Sequence, residues 1–246
     1  MFLLILFLIG LKCLKNDVNP IKSNKGVTKY LSFDLGAGYL AFSVVQIWDT
    51  KDKNMCSRVN LDVKTKDKQS YIFTKEYLDE AVNLEFYGII GIPNQTKKLS
   101  LPNIAKNLKF ALDEFFAEND DLTKSELTIL IEQQANKSRV IDAIESQLYM
   151  YFVDNECYTV NNMKKNIVCF HENLAHEVFY EKNIVEAKIM NRKPRPPRTV
   201  HKKHADANFK YYLRKFTGDE YSGESCRSVD IADSFMQIFG YLLTKK

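Results

Sequence analysis

The sequence lacks the cysteine pattern of a disulfide-stapled or zinc-binding protein. Its cysteines are odd in number and scattered, with neither a C-x-x-C pair nor a Cys/His zinc spacing: Cys13, Cys56, Cys157, Cys169 and Cys226. We interpret them as reduced thiols. This interpretation favours a reducing compartment and argues against a secreted protein.

Long apolar runs are also absent. The most apolar stretch, residues 2–11, is well short of the ~20 residues that a transmembrane helix needs. It has neither a preceding basic residue nor a clear small-x-small site after it, the two marks of a signal peptide. A targeting signal, a hydrophobic N-terminal helix and an extension with no role in the fold all stay open. We expect an apolar segment and polar linker over residues 1–27, and one domain over residues 28–246.

Glycine and proline are scarce, with nine and six residues among 246. Together with 45% hydrophobic and 27% charged residues, this content is typical of a soluble globular protein and argues against the disordered and fibrous classes. The length suits one generous domain with a single buried core, and no internal repeat is visible.

Positive charge is concentrated in one segment. Residues 182–215 hold eleven Lys or Arg against two acidic residues, whereas the rest of the chain holds 24 basic and 29 acidic residues. This segregation suits a polyanion, although a solvated face has the same composition. Within the segment, the proline-rich stretch 188–203 predicts an exposed basic loop.

The hydrophobic pattern predicts a mixed sheet flanked by helices. An antiparallel meander is expected from strands at 28–33, 39–48, 55–63 and 70–74, followed by strands at 127–131 and 166–170. Helical spacing predicts helices at 101–119, 140–153, 204–216 and 229–243. The predicted class is α/β with a mixed five-stranded sheet, an antiparallel meander plus parallel strands, and this is the element order of the RNase H-like fold.

Four carboxylates stand where such a fold would bring them together. Asp34 ends the first strand, Glu132 ends a strand beside it, and Asp230 and Asp233 share one face of the last helix. Clustered carboxylates repel unless a cation neutralises them, and an all-oxygen site suits Mg²⁺ or Mn²⁺ rather than zinc. Such a site can hydrolyse a phosphodiester. Taken one by one, each residue has an ordinary alternative. Asp34 could be a turn residue and Glu132 a solvated strand end. Asp230 and Asp233 could be acids favoured at a helix N-terminus by the dipole.

Three motifs carry a resemblance to a known family. FDLG at 33–36, IEQQ at 131–134 and VDIADSF at 229–235 resemble the motifs of RuvC-type Holliday-junction resolvases, above all the poxviral and fungal-mitochondrial branch. The branch pattern is D-[IL]-G-x-K-N-[LM]-A, then I-E-x-Q, then D-[IL]-A-D-[AS]. The resemblance implies a Mg²⁺-dependent endonuclease that resolves four-way DNA junctions in recombination and repair, with Asp34, Glu132, Asp230 and Asp233 as catalytic metal ligands.

The first motif departs from the pattern at two positions. Gly38 and Tyr39 stand where the branch has Lys-Asn, while Leu40 and Ala41 fit it. The departure bears on substrate contacts of the first hairpin more than on metal binding.

The resemblance also implies a catalytic lysine ahead of the last helix that contacts the scissile phosphate. Lys203 or Lys202 is the best match, and a solvated helix start is the alternative.

Further residues are candidates for DNA backbone contacts, in which lysine and arginine supply affinity but little sequence reading. They follow Glu132 or lie in the basic segment: Gln134, Lys137, Arg139, Arg192, Lys193, Arg195, Arg198 and Lys202. An ordinary strand-to-helix loop could have the same residues at positions 134, 137 and 139.

The implied substrate predicts a homodimer, because a two-fold dimer supplies two matching sites for the two nicks. By resemblance, helix 140–153 is an interface candidate through Leu148, Tyr149 and Phe152, with ordinary core as the alternative. The compartment would be that of the DNA: a viral replication site, an organelle or the nucleus.

Three other classes remain as alternatives. An actin-like ATPase or sugar kinase also places D-x-G on a first hairpin, but needs two domains and a second glycine-rich phosphate loop, for which residues 88–93 are the candidate. A non-catalytic nucleic-acid-binding module would use the basic loop, and the carboxylates would have no catalytic role. An RNase H or a transposase would share the fold and the metal.

Overall fold

A computed structural model describes ten stretches of the chain: residues 12–13, 26–48, 55–59, 69–93, 100–124, 126–133, 138–161, 166–169, 197–218 and 228–244. The strands in them are β1 (Lys12–Cys13), β2 (Val27–Gly36), β3 (Tyr39–Trp48), β4 (Cys56–Val59), β5 (Gln69–Phe73), β6 (Val82–Gly91), β7 (Leu127–Gln133), β8 (Glu156–Asn161) and β9 (Asn166–Cys169). The helices are α1 (Lys75–Ala81), α2 (Leu101–Glu118), α3 (Asp120–Thr123), α4 (Arg139–Tyr151), α5 (Pro197–Tyr212) and α6 (Ser228–Thr244).

The larger sheet has the strand order β1-β6-β3-β2-β7-β8. Strands β6, β3 and β2 are antiparallel neighbours, while β7 pairs parallel with β2 and β8 parallel with β7. An antiparallel meander continued by parallel strands on the far side of its first strand is the RNase H-like topology. The predicted α/β class is confirmed. The sheet has six strands instead of the expected five, because the two-residue β1 is added at its edge.

Three strands of the larger sheet were not predicted, β1, β6 and β8, and three predicted strands belong to another sheet. The predicted strands at 55–63, 70–74 and 166–170 correspond to β4, β5 and β9, which form a separate three-stranded sheet. Placing them in the main sheet was wrong, because β6 and β8 occupy those positions.

Strand β6 contains the residues considered for a second phosphate loop. Val82 and Leu84 pack in the layer of α5 and α6, whereas Phe86 and Ile90 pack in the layer of α2 and α4. A register shift against β3 between these two pairs changes the face, and the strand is buried on both sides. Residues 88–91 are the end of this strand, paired with β3, so the loop expected of an actin-like ATPase or kinase is not there.

The sheet separates two hydrophobic layers. On one face Leu31, Phe33 and Leu35 of β2 pack with residues of α2 and α4, and on the other Tyr30 packs with residues of α5 and α6. Because side chains alternate along a strand, Ser32 and Asp34 share the face of Tyr30. The Ser32 hydroxyl donates to Gln237 Oε1 of α6 at 2.9 Å, which fixes that orientation.

Helix α5 begins earlier than the sequence predicted. Residues 188–203 were expected to form a loop and the helix to start at 204, yet α5 starts at Pro197. Proline is tolerated at the first helical position because its missing N–H has no partner there anyway, so the proline-rich stretch ends at the helix instead of excluding it. A π-helical segment, Leu213–Thr217, follows, and the left-handed Gly218 with φ 72° ends it.

Helix α4 packs inward through residues proposed as an interface. Leu148 and Phe152 are 0% and 3% exposed in the core between the sheet, α2 and α4, and Tyr149 packs partly buried against it. The expectation that they offer free apolar surface was therefore wrong for the first two. Met150 and Val153, at the end of this helix, are exposed instead.

Among the described helices, none has the length and apolar character that crossing a membrane requires.

Candidate metal centre

Two carboxyl groups lie side by side at the ends of neighbouring parallel strands. Phe33 of β2 pairs with Ile131 of β7, so the next residues, Asp34 and Glu132, stand at equivalent positions. Both side chains point toward α6, since they alternate with core residues that face α2 and α4. They are 5% and 3% exposed, in a setting where a charge is costly.

Helix α6 brings two further carboxylates to the same place. Asp230 and Asp233 are separated by three residues and therefore share one helical face near its start. The helix is held on the sheet by polar contacts as well as apolar ones. Ser43 of β3 and Ser234 of α6 have their hydroxyl oxygens 2.8 Å apart, next to the aspartates.

The four predicted carboxylates come together in the structure. One oxygen each of Asp34, Asp230 and Asp233 lies within 4.8 Å of the other two. Glu132 joins them through a side-chain hydrogen bond with Asp34.

A lysine of α5 contacts this cluster. Lys202 Nζ lies 2.6 Å from Asp230 Oδ1 and 3.5 Å from Asp233 Oδ2. The earlier start of α5 is what places it there, on a helix instead of a loop. Lys203 also lies in α5, but its side chain is outside the described part of the structure.

Tyr39 is a site residue that sequence reasoning missed. Its hydroxyl donates a 2.6 Å hydrogen bond to Asp230 Oδ2. The only signal was its place directly after the Gly36 to Gly38 turn, where the family pattern has a different residue. That place gives no indication of a partner 191 residues away.

Burial and mutual repulsion raise the pKa values of Asp34, Glu132 and Asp233. Burial raises the pKa of Asp34, and the charge of Asp230 adds to it. Burial, then the hydrogen bond and charge of Asp34, raise the pKa of Glu132 to about 10. Glu132 therefore carries the proton and donates to Asp34. Burial and the charge of Asp34 raise the pKa of Asp233 to about 7, against the opposing effect of Lys202.

Lys202 stays protonated in this setting. Burial lowers its pKa, but the hydrogen bond to Asp230 and the charges of Asp233 and Asp230 outweigh that effect, so the pKa is raised overall. One ammonium cannot neutralise three aspartates, and the cluster retains an excess of negative charge when they ionise.

The residues present fit a hard divalent cation. Among the described side chains, every donor in the cluster is a carboxylate oxygen, the ligand that Mg²⁺ and Mn²⁺ prefer. Two oxygens bound to one Mg²⁺ are at most about 4.2 Å apart. Small side-chain movements from the observed spacing are therefore sufficient.

The residues predicted to contact DNA are described only in part. Arg139 begins α4 and is exposed, close along the chain to Glu132. Arg198 lies in α5 with its side chain undescribed. Gln134, Lys137, Arg192, Lys193 and Arg195 lie outside the described residues.

Comparison with solved structures finds T. thermophilus RuvC in complex with a Holliday junction substrate. The sequence identity is 10% and the TM-score 0.37, over 89% of this chain and 96% of that chain. No family model and no curated protein matches the chain. The fold assignment rests on the strand order and directions described above.

The raised carboxyl pKa values predict that Mg²⁺ stabilises the folded protein more at high pH than at low pH. The folded state keeps protons on Asp233 to about pH 7 and on Glu132 to about pH 10, whereas the unfolded chain releases them near the ordinary carboxyl pKa values of 3.8 and 4.5. The free energy of unfolding of the metal-free protein therefore falls as pH rises through this interval. Because Mg²⁺ displaces these protons, its apparent Kd should rise about tenfold per pH unit below pH 7 for each proton displaced.

Scanning calorimetry with and without Mg²⁺, at about pH 6 and about pH 8, measures this effect as a difference in Tm shift. Asp233→Asn should remove the part of the pH dependence that comes from Asp233 and leave the part that comes from Glu132, while the matched surface variant Asp113→Asn should keep both. Equal Tm shifts at the two pH values would contradict proton displacement at this cluster.

Proposed function

We propose that the protein is a Mg²⁺-dependent DNA endonuclease, a RuvC-type resolvase of the poxviral and fungal-mitochondrial kind, that cuts four-way junctions in DNA recombination and repair. The observation that carries this proposal is the convergence of Asp34, Glu132, Asp230 and Asp233 with Lys202 on one face of an RNase H-like sheet. Mn²⁺ is expected to substitute for Mg²⁺.

The chemistry follows from the donor set. Asp34, Glu132, Asp230 and Asp233 would hold the metal, which when bound supplies a polarised water for in-line attack and stabilises the leaving 3′ oxygen. Before metal binding, Glu132 holds a proton against Asp34, and Lys202 pairs with Asp230 and Asp233.

Lys202 is the better candidate for the phosphate-contacting lysine. Its ammonium is half-buried at the carboxylates, with its charge favoured by two of them. From that position it can meet the scissile phosphate where the metal does.

The basic segment supports DNA as the substrate. Its last part forms α5, the helix that places Lys202 at the carboxylates. The basic segment is therefore continuous along the chain with a residue of the site. Exposed Arg139 adds a cation at the start of α4. We propose that these groups, with Gln134, Lys137, Arg192, Lys193, Arg195 and Arg198, contact the phosphate backbone.

Replacing single carboxylates should abolish cleavage while leaving DNA binding. Asp34→Asn, Glu132→Gln and Asp233→Asn each remove one ligand, and the expected loss of cleavage rate is at least about a hundredfold. The assay compares a labelled four-way junction, a linear duplex and an RNA/DNA hybrid with Mg²⁺. Preferential, paired cutting of the junction supports the resolvase assignment, whereas preference for the hybrid supports an RNase H.

Two controls accompany this assay. Asp113→Asn changes an exposed carboxylate on α2 and should cleave like the wild type. Lys202→Met should lower kcat with little change in junction affinity, but Lys210→Met, which alters another ion-paired lysine of α5, should not. Full activity in two of the three ligand variants would end the nuclease hypothesis.

The basic segment should dominate the salt dependence of DNA binding. Each phosphate contact contributes a slope of about −0.9 to log Kobs against log salt, so losing four should flatten the slope by roughly 3 to 4. The variant replaces four residues with glutamine: Arg192, Lys193, Arg195 and Arg198. Fluorescence anisotropy at several salt concentrations measures the slope.

A charge-matched control replaces four exposed lysines outside the segment: Lys75, Lys106, Lys109 and Lys124. It should reduce the slope much less. A segment variant with the wild-type slope would show that the basic residues form only a solvated surface.

We also propose that the active form is a homodimer. A four-way junction needs two nicks at symmetry-related positions, and each chain supplies one carboxylate cluster. Sedimentation at micromolar concentration, with and without junction DNA, should show a dimer in at least one condition. A monomer in both, or single-strand cutting of the junction, would exclude paired incision and leave the nuclease assignment standing.

A further inference from the structure

Asp230 is held from two sides. Lys202 Nζ contacts Oδ1 and the Tyr39 hydroxyl donates to Oδ2, both at 2.6 Å. The lysine comes from α5 and the tyrosine from the first residue of β3, so the carboxylate is fixed between a helix and the sheet. With both oxygens bound, the carboxyl plane has little freedom to rotate.

Gly36 makes room for the tyrosine ring. Gly36 and Tyr39 are register partners across the first hairpin. A Cβ atom at Gly36 would lie 2.7 to 2.8 Å from three carbons of the Tyr39 ring, closer than real contacts allow. The ring therefore occupies the space that a side chain at position 36 would need.

The other neighbour of Tyr39 provides a contrast. On its second side Tyr39 pairs with Gly91 of β6, where an added Cβ atom would meet nothing within 4 Å. The hairpin is also tied to the end of this strand, because the Ile92 N–H donates to the Gly38 carbonyl at 3.0 Å. Strand pairing therefore fixes the backbone of Tyr39 on both sides. Of its two glycine partners, only Gly36 lies where the tyrosine ring leaves no room for a side chain.

We propose that Tyr39 is a positioning residue of the metal centre: its hydroxyl holds Asp230 in the orientation that binds the cation, and Gly36 is needed because the ring lies over it. This inference rests on the proposed metal-dependent function. Without the tyrosine, Lys202 alone would orient Asp230 and draw it toward α5. A hydrogen bond to a ligating carboxylate orients it for the metal, and losing such an interaction typically weakens metal affinity by about 10- to 100-fold.

The test measures Mn²⁺ binding to the full-length protein without DNA, by titration calorimetry and by the EPR signal of free Mn²⁺. Tyr39→Phe removes only the hydroxyl and should raise the Kd for Mn²⁺ by about tenfold or more. Its metal-free Tm should stay close to that of the wild type, because the ring remains. A general loss of structure would instead weaken Mn²⁺ binding and lower the Tm together.

Paired glycine variants separate positioning from hairpin damage. Gly36→Ala displaces the ring and should weaken Mn²⁺ binding like Tyr39→Phe, whereas Gly91→Ala should leave it unchanged. Added to Tyr39→Phe, Gly36→Ala should lower the Tm without weakening Mn²⁺ binding further, because the hydroxyl it acts through is already absent.

Three outcomes would overturn the inference. Wild-type Mn²⁺ affinity in Tyr39→Phe removes the role of the hydroxyl while leaving the metal centre intact. Additive losses in the double variant would mean that Gly36 acts on the site by another route. A wild-type protein that binds no Mn²⁺ overturns the metal centre itself, and the proposed function fails with it.

Discussion

The repulsion among buried carboxylates is the constraint on which the rest of the structure depends. Asp34 and Asp233 are costly to bury as charges, and the proximity of half-buried Asp230 adds to that cost. They stay together because the sheet and helix α6 are fixed to each other by an apolar layer and by the contacts of Ser32 in β2 with Gln237 and of Ser43 in β3 with Ser234. The two hydrophobic layers thus supply the free energy that holds an otherwise unfavourable arrangement.

Bound protons and Lys202 neutralise part of the negative charge of the carboxylates. Glu132 shares its proton with Asp34, and the lysine offsets part of the charge of Asp230 and Asp233. The same groups can release the protons and leave the oxygens to a cation, because both forms of compensation are reversible.

The convergence of the carboxylates could be predicted because each position follows from a local rule. Asp34 and Glu132 end apolar runs that have to be strands, and Asp230 and Asp233 are three residues apart on a periodic helix. The element order then placed β7 parallel to β2, as the structure has it. Their catalytic role, which geometry alone does not test, stays a prediction.

What the sequence did not reveal depends on partners distant along the chain. Several short apolar runs could have completed the main sheet, and only tertiary packing selects β6 and β8 over β5 and β9. The start of α5 depended on reading Pro197 as a first helical residue instead of a helix breaker. Tyr39 was missed because its function lies in one hydroxyl whose acceptor belongs to the last helix.

The placement of α6 also sets when the centre can form during synthesis. The helix supplies Asp230 and Asp233 and covers the face of the sheet that carries Asp34 and Glu132, yet Tyr39 and Asp230 are 191 residues apart. A ribosome-bound chain whose α6 is still inside the exit tunnel has neither the aspartates nor the cover over the first two carboxyls. The carboxylate cluster therefore forms only on chains whose α6 has left the tunnel, and translation products that end before α6 cannot assemble it.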